Sequence, residues 1–398
     1  MDYISRLIES HIRYLLDQGK SLLLLGPRQS GKTTLINHFI KPNISITFAR
    51  AETRQRYEPN PALLENELEM EIKNYPKPPI VFIDEVQKIP QVMDIVQHLI
   101  DDKLAHFILT GSSARKLRHG TNINLLPGRV ILLSMTPLLY NELPLPKPPL
   151  EEILLYGTLP GILTEKDNSL REVTLSSYVT SYLEEEIRAE ALVRNVGSFT
   201  RFLEIAAGEC GKQLNFTKLS QTIGVSDTTI ANYYQILEDC LIATRIDPIT
   251  HSQTKRRLIK SPKYLFFDLG VRRLCAHEGL QLPQKIIADL FEQYVGNELI
   301  YHTQLTSPTM RVKYWRDTAG PEIDYVLEAS HQYIPIEVKW SDKPNEFDAK
   351  HLKKFLIEYP ETKEAYIICR TPRAYRLTPH ITALPWQEIP SIFESKNL

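Results

Sequence analysis

Two groups of residues have types and spacings suited to phosphate chemistry. The first is Gly26-Pro-Arg-Gln-Ser-Gly-Lys-Thr-Thr34, which fits G-x-x-x-x-G-K-[ST]. Gly26 and Gly31 let the backbone curl with no side chain in the way. Gly26, Pro27, Arg28, Gln29, Ser30, Gly31, Lys32, Thr33 and Thr34 then form a concave loop at a helix N-terminus whose backbone N–H groups, Pro27 having none, cradle the phosphates of ATP. Lys32 is expected to reach the β- and γ-phosphates, and the Thr33 hydroxyl to ligate Mg²⁺. The second half of this chemistry is Pro79-Ile-Val-Phe-Ile-Asp-Glu-Val86. Asp84 is expected to hold Mg²⁺ through water and Glu85 to polarise the attacking water. An Asp-Glu pair at a strand end also suits a helix N-cap.

Farther along, Glu337 and Lys339 alternate on one apolar run, so a strand there points both to the same face. Asp324, on a neighbouring antiparallel strand, can share that face, and Glu292 can reach it from a packed helix. Two or three carboxylates and a lysine suit a Mg²⁺-dependent phosphodiesterase: carboxylates hold a hard cation, the cation activates water, and Lys339 orients the nucleophile. A structural salt-bridge cluster has the same residues.

Between these groups, Thr110 and Ser112 end the run His106-Phe-Ile-Leu-Thr-Gly-Ser112. If that strand lies between those carrying Lys32 and Asp84, its end points at the γ-phosphate, and Ser112 is the preferred water-orienting or phosphate-sensing hydroxyl. A Gly-Ser-Ser turn explains the same residues. Of Arg115, Arg118 and Arg129, Arg129 is the preferred arginine to neutralise transition-state charge in a neighbouring subunit; a solvated surface arginine is the plain alternative.

These side chains need elements to place them. Leu22–Leu25 and Ile80–Ile83 are short apolar runs that suit strands buried on both faces. Strands also fit 43–49, 106–110 and 130–134, alternating with helices, which implies a parallel sheet covered on both sides. Apolar positions at Ile4, Leu7, Ile8, Ile12, Leu15 and Leu16 mark a helix expected over the nucleotide base. The proline-rich 143–150 is a stiff boundary. After it, 151–200 suit a small helical lid, with 171–193 as one long charged helix. Residues 199–245 suit a helix–turn–helix with a wing. The outer face of its third helix is expected to show Asp227, Thr228, Asn232, Tyr233 and Gln235, with no Lys or Arg, which argues against reading bases. Lys255, Arg256, Arg257, Lys260 and Lys263 form a basic wing able to track phosphates. The domains are therefore 1–142, an ATPase core; 143–198, linker and lid; 199–282, the winged unit; and 283–398, the second chemical domain.

Composition sets bounds. At 398 residues the chain exceeds one ordinary core. A net charge of −1 confines any nucleic-acid surface to a local patch. Four scattered cysteines without C-x-x-C spacing fit a reducing cytoplasm and argue against a zinc site. No apolar run approaches the ~20 residues of a membrane span, and the N-terminus lacks the apolar core of a signal peptide.

With these motifs in place, nearly the whole chain resembles bacterial and archaeal AAA+-type ATPases that share the motifs seen here at Gly26–Thr34 and Ile83–Lys88. Members carry a C-terminal domain of unknown function whose motifs correspond to Phe291–Val295 and Glu337–Lys339, and which is similar to the PD-(D/E)xK nuclease fold. The resemblance implies an α/β fold: a P-loop parallel-sheet ATPase domain, a helical lid, a winged helix–turn–helix and an α/β nuclease-like domain. It implies Asp324, Glu337 and Lys339 as a triad, with Glu292 as the helix carboxylate. It further implies ATP and Mg²⁺ as cofactors, DNA bound without sequence specificity, self-association up to a hexameric ring, and no membrane. The expected activity is ATP hydrolysis by a protein acting on branched or broken DNA. The alternative is a signalling-type ATPase switch whose nuclease-like domain only binds.

Overall fold

The computed structural model describes residues 3–113, 126–183, 196–254, 256–307, 309–330 and 332–394. Five strands, β1 (Ser21–Leu25), β2 (Ile44–Thr47), β3 (Ile80–Asp84), β4 (His106–Gly111) and β5 (Val130–Ser134), form one parallel sheet in the order β2-β3-β4-β1-β5. The period-2 alternation of a strand divides its apolar runs between two cores. Leu23, Leu25, Val81, Ile83, Phe107 and Leu109 meet the Val92–Asp101 helix on one face. Leu22, Leu24, Phe82 and Ile108 meet the Ile8–Asp17 helix and Leu35 on the other. Because β4 separates β1 from β3, the segments after all three strands open onto the same sheet edge.

The chain then builds three short helices, Leu150–Tyr156, Pro160–Leu163 and Asn168–Ser177. The last runs into a wider π turn at Tyr178–Leu183, where one continuous α-helix was expected, and 184–195 lie outside the described residues. The helices Val196–Gly208, Phe216–Ile223 and Asp227–Asp239 follow. Gly224, at φ +82°, turns the chain between the last two, and the Ser226 side chain caps the third by accepting from Thr229 N. An antiparallel pair, β6 (Ala243–Ile246) and β7 (Lys263–Phe266), comes next. Asp268 then caps the Leu269–Cys275 helix through Val271 N and also accepts from Thr158 N at 2.7 Å. That bond ties the short helices to the Leu269–Cys275 helix.

The final region carries a mixed sheet: β8 (Arg311–Arg316), β9 (Glu322–Ala329), β10 (Gln332–Val338), β11 (Ala365–Cys369), β12 (Tyr375–Thr378) and β13 (Ile381–Pro385), in the order β12-β13-β11-β10-β9-β8. β8, β9 and β10 pair antiparallel, whereas β10, β11 and β13 pair parallel. The Gln284–Thr306 helix lies so close to it that a Cβ on Gly296 would stand 2.4 Å from the Tyr325 hydroxyl. One continuous apolar cluster runs from Leu138 to Phe393, joining the helical middle to this sheet.

The close approach of two helices depends on a second glycine. A Cβ on Gly270 would fall 2.3 Å from the Tyr156 carbonyl oxygen, a backbone atom with no rotamer to yield. Gly270→Ala is expected to cost about 1–3 kcal/mol, read as a lower midpoint in urea. Gly208→Ala, where a Cβ would meet nothing within 4 Å, is expected to leave the midpoint unchanged or slightly raised.

Candidate functional site

The glycine curl leaves β1 at Gly26, where a Cβ would collide with the Met135 carbonyl oxygen at 2.3 Å. Gly31 stands at φ +96° directly before the Lys32–Leu35 helix, and Gln29 also takes positive φ, +59°. The Lys32 ammonium is buried and donates to the carbonyls of Gly26 (2.7 Å) and Pro27 (3.0 Å), bracing the loop from inside. From outside, buried Arg6 donates to Ser30 O (2.8 Å) and Thr136 O (2.7 Å), and pairs with Glu142 at 3.0 Å. The Tyr178 hydroxyl donates to Arg28 O at 3.3 Å, so the π turn at Tyr178–Leu183 touches the same loop. A cavity of about 490 Å³ opens beside it, lined among others by Tyr3, Gln29, Thr34, His38, Pro160 and Thr164. Tyr3 and His38 stack there at 4.1 Å. The segment leading into the first helix thus lines the space expected for the base.

Asp84 ends β3 almost fully buried and accepts three hydroxyl bonds: from Thr33 (3.1 Å), Thr47 (3.2 Å) and Thr110 (2.6 Å). All three donors are neutral, so the carboxylate charge is solvated but not cancelled. Thr33 and Asp84 together offer hard oxygen donors beside the curl, a set that fits Mg²⁺. Glu85 takes the left-handed conformation, φ +59°, which turns its carboxylate toward β4. There it accepts from Gln87 Nε2 at 2.7 Å and from Ser112 Oγ at 3.2 Å, and Gln87 also donates to Ser112 at 3.0 Å. Ser112 therefore meets Glu85, while Thr110 serves Asp84. Gln87 and Thr47 did not stand out in the sequence. Gln87 lay inside the quoted Ile83–Lys88 motif, but only the reversed backbone at Glu85 shows where its amide goes. Thr47 ends a strand with no motif.

Arg129 directly precedes β5, whose Val130 pairs with Ser21, and so lies at the opposite end of the strands from the curl. Its guanidinium makes a two-bond pair with Asp101 of the same chain, at 2.7 and 2.9 Å. Arg115 and Arg118 lie outside the described residues.

Two expectations for the helix–turn–helix need correction. Tyr233 is not on the outer face: it is buried against Phe199 and Phe202, at 4.9 and 5.1 Å between ring centres. Asp227, Thr228, Asn232 and Gln235 are exposed as expected. The basic stretch is not a free surface either. Lys263 is 4% exposed and turned inward, and Arg256 pairs with Asp317 (2.7 Å) and Glu358 (2.9 Å). Arg257 and Lys260 remain exposed, and Lys255 lies outside the described residues.

In the final domain, Asp324 on β9 and Glu337 on β10 share a sheet face with Lys339. Lys339 Nζ stands 2.6 Å from Glu337 Oε1, and Val338 N donates to Asp324 Oδ2 at 2.8 Å. Glu292 sits on the packed helix, its backbone oxygen accepting from the Tyr325 hydroxyl at 3.0 Å. Lys263 reaches in from β7, 2.7 Å from Glu322 and 3.9 Å from Glu292. Burial pushes Asp324 and Glu337 above the usual carboxylate range. Glu292 keeps 29% of its side-chain surface exposed, yet protein closes around the rest, and burial followed by the Asp324 charge pushes it up to about 8. Burial pulls down on Lys263, but the charges of Glu292, Glu322 and Asp324 outweigh it and raise its pKa. Among the described residues, no three His, Cys, Asp or Glu side chains are grouped to hold a metal ion. Glu292, Asp324 and Glu337 thus do not fit the shared cation expected of them in this arrangement. Two lysines stand among them instead.

Residues 18–144 match a family model described as AAA domain. Residues 147–282 match a Domain of unknown function (DUF8612), and 288–389 match a Domain of unknown function (DUF4143). An uncharacterized protein of Mycobacterium tuberculosis is 25% identical over 385 residues, 96% of this chain and 83% of the relative. One from Methanocaldococcus jannaschii is 24% identical over 333 residues, 71% of this chain and 68% of the relative. Among solved structures, the replication initiator DnaA bound to AMPPCP and single-stranded DNA aligns at 12% identity and a TM-score of 0.29, over 59% of this chain and 90% of that one. A signal transduction ATPase with a tetratricopeptide repeat sensor from Pyrococcus horikoshii aligns at 10% identity and a TM-score of 0.25, over 76% and 47%. Both scores are too low to mark a shared fold. The N-terminal region is an AAA-type P-loop ATPase domain. No helix among the described residues is long and apolar enough to cross a membrane.

The raised Glu292 pKa has a consequence for stability. Below pH 4.5 the group is protonated folded or unfolded. Between 4.5 and about 8 the unfolded chain releases a proton that the folded chain keeps. Stability conferred at low pH is therefore lost as pH rises through that window, and the loss levels off above it. Apparent melting temperatures from pH 5 to 8.5 are expected to show the decline in the wild type and a flatter profile in Glu292→Gln. The variant should gain on the wild type as pH increases.

Proposed function

We propose that this chain is a Mg²⁺-dependent ATP hydrolase of AAA type whose nucleotide state governs a DNA-binding helix–turn–helix unit and a nuclease-like C-terminal domain. The observation that carries the hydrolytic part is the cluster at one sheet edge, where Thr33, Asp84, Glu85 and Ser112 gather beside the glycine curl. Backbone N–H groups of the curl hold the phosphates, and Lys32 exchanges its two carbonyl partners for phosphate oxygens. Thr33 and Asp84 would hold Mg²⁺, which when bound neutralises charge on the β- and γ-phosphate oxygens. Glu85 takes a proton from water as the water oxygen bonds to the γ-phosphorus; the bond to the bridging oxygen breaks and ADP keeps that oxygen. Gln87 and Ser112 keep the Glu85 carboxylate aimed while this happens. An arginine from a neighbouring subunit would complete the site in a ring. Arg129 can serve only by releasing Asp101.

Support for DNA is of a different kind. The three helices between Val196 and Asp239 with the β6–β7 pair are the parts of a winged unit. Its third helix shows no basic side chain outward, so contacts would be to phosphates, through Arg257 and Lys260, without reading bases. Asp324, Glu337 and Lys339 share a face in the order of a nuclease-like triad. One observation favours the signalling-type alternative, in which this domain only binds: lysines, not an open seat, stand among its carboxylates. DNA that raises ATP turnover would favour the DNA-acting form; nucleotide that only changes oligomeric state would favour the switch.

Phosphate release assays on purified protein test the hydrolytic core. Lys32→Ala should lose both tight ATP binding and turnover. Glu85→Gln should bind ATP within a few-fold of wild type while turnover falls about 10²–10⁴-fold, the usual range for removing a general base. Turnover at the wild-type rate in either variant would refute the assignment.

A further inference from the structure

The N-terminal sheet ends at β5, which pairs with β1 alone among the described strands. Met135 N donates to Leu25 O at 2.6 Å, so the amide just past β5 points toward β1. The direction of backbone N–H and C=O groups alternates along a strand. Those of Leu133 therefore face β1, and those of Leu132 and Ser134 face the open edge. Among the described residues, neither of these two outward amides has a partner. An apolar edge strand with outward amides is a template for a further strand.

A groove lies along that edge. One part is a cavity of about 370 Å³, where Leu132 and Ser134 meet Arg245 and Ile246 of β6 and Arg311 of β8. A second, of about 470 Å³, lies between the Ile8–Asp17 and Gln284–Thr306 helices, with Leu7, Tyr14 and Phe393 in its wall. His11 and Leu305 line both, so the two adjoin. Leu7, Tyr14 and Leu132 leave 43%, 61% and 48% of their surface exposed. Single exposed apolar residues are ordinary, but three along one groove mark a contact surface.

The groove also has a sign. Arg245, Arg311 and His11 line the cavity beside β5, and no Asp or Glu does among the described residues. Asp247 takes the Arg245 Nε at 2.7 Å from outside that lining. Glu328, opposite Arg311 in the β8–β9 register, is held by Lys313 at 2.6 Å. Positive charge therefore exceeds negative around the cavity.

We infer that this groove takes an extended, acidic peptide segment of a partner protein, added as a strand to the open edge of β5. An apolar side chain of the segment fills the cavity, and a flanking Asp or Glu meets Arg245 and Arg311. Main-chain bonds to Leu132 and Ser134 supply affinity, and the cationic rim selects the charge of the partner. The bound segment contacts the N-terminal sheet, β6 and β8 at once.

Fluorescence anisotropy on the full chain tests this with two labelled peptides, acetyl-Asp-Val-Leu-Val-Asp-amide and its Lys-flanked counterpart. The wild type should bind the acidic peptide saturably and the basic one not at all. Leu132→Pro removes an outward N–H, a change that edge strands tolerate, and should weaken binding about tenfold. Arg245→Glu should lose the preference for the acidic peptide. Peptides N-methylated on alternate amides need no variant: one set of methyl groups should abolish binding to the wild type, and the other set should leave it. No saturable binding, equal binding of both peptides, or indifference to both methylated sets overturns the inference. So does a dimer, seen by sedimentation without peptide, that Leu132→Pro dissolves, because the edge then belongs to a second copy of this chain.

Discussion

A single buried carboxylate organises the N-terminal half of this molecule. Asp84 leaves water at the end of β3 and would be costly there unless its oxygens were satisfied. Hydroxyls from three separate segments satisfy them: Thr33 after the glycine curl, Thr47 at the end of β2 and Thr110 at the end of β4. The strand order makes this possible, since β2 and β4 flank β3 and β1 lies one strand beyond. Any slip in that order would leave Asp84 buried without donors. The fold and the arrangement beside the glycine curl therefore depend on the same bonds.

The molecule treats its two acidic sites in opposite ways. At the sheet edge the donors to Asp84 are neutral, so its negative charge remains available to a cation. In the C-terminal domain Lys263 and Lys339 answer the carboxylates with full positive charges. A buried ion pair of this kind resists loss of either partner far more than it adds to stability. Hydroxyls surround the carboxylate of the first site, whereas lysines stand among those of the second.

What the sequence showed follows from the range of the interactions. The parallel sheet was legible because Leu22–Leu25, Ile80–Ile83 and Phe107–Leu109 each carry their burial in a few consecutive residues. The glycine curl was legible because its chemistry is local. Gln87 was not, because its role depends on the positive φ of Glu85, which its residue type does not announce. Lys263 looked like part of a solvated basic strip. Only the pairing of β7 with β6, and the lacing of that segment to β8, turn it toward Glu322 on a strand far along the chain. Tyr233 looked like an outer-face residue because helix periodicity does not reveal that the Val196–Gly208 helix covers that side.

The account turns on Asp84 as the carboxylate that Mg²⁺ and nucleotide share, and one measurement addresses it directly. ATP affinity is measured by titration at increasing Mg²⁺ for the wild type and for Asp84→Asn, which keeps the size of the side chain but removes its charge and turns one acceptor oxygen into an amide donor. The account expects affinity to rise with Mg²⁺ in the wild type and to stay flat in the variant. An equal rise in both would place the metal elsewhere and contradict it.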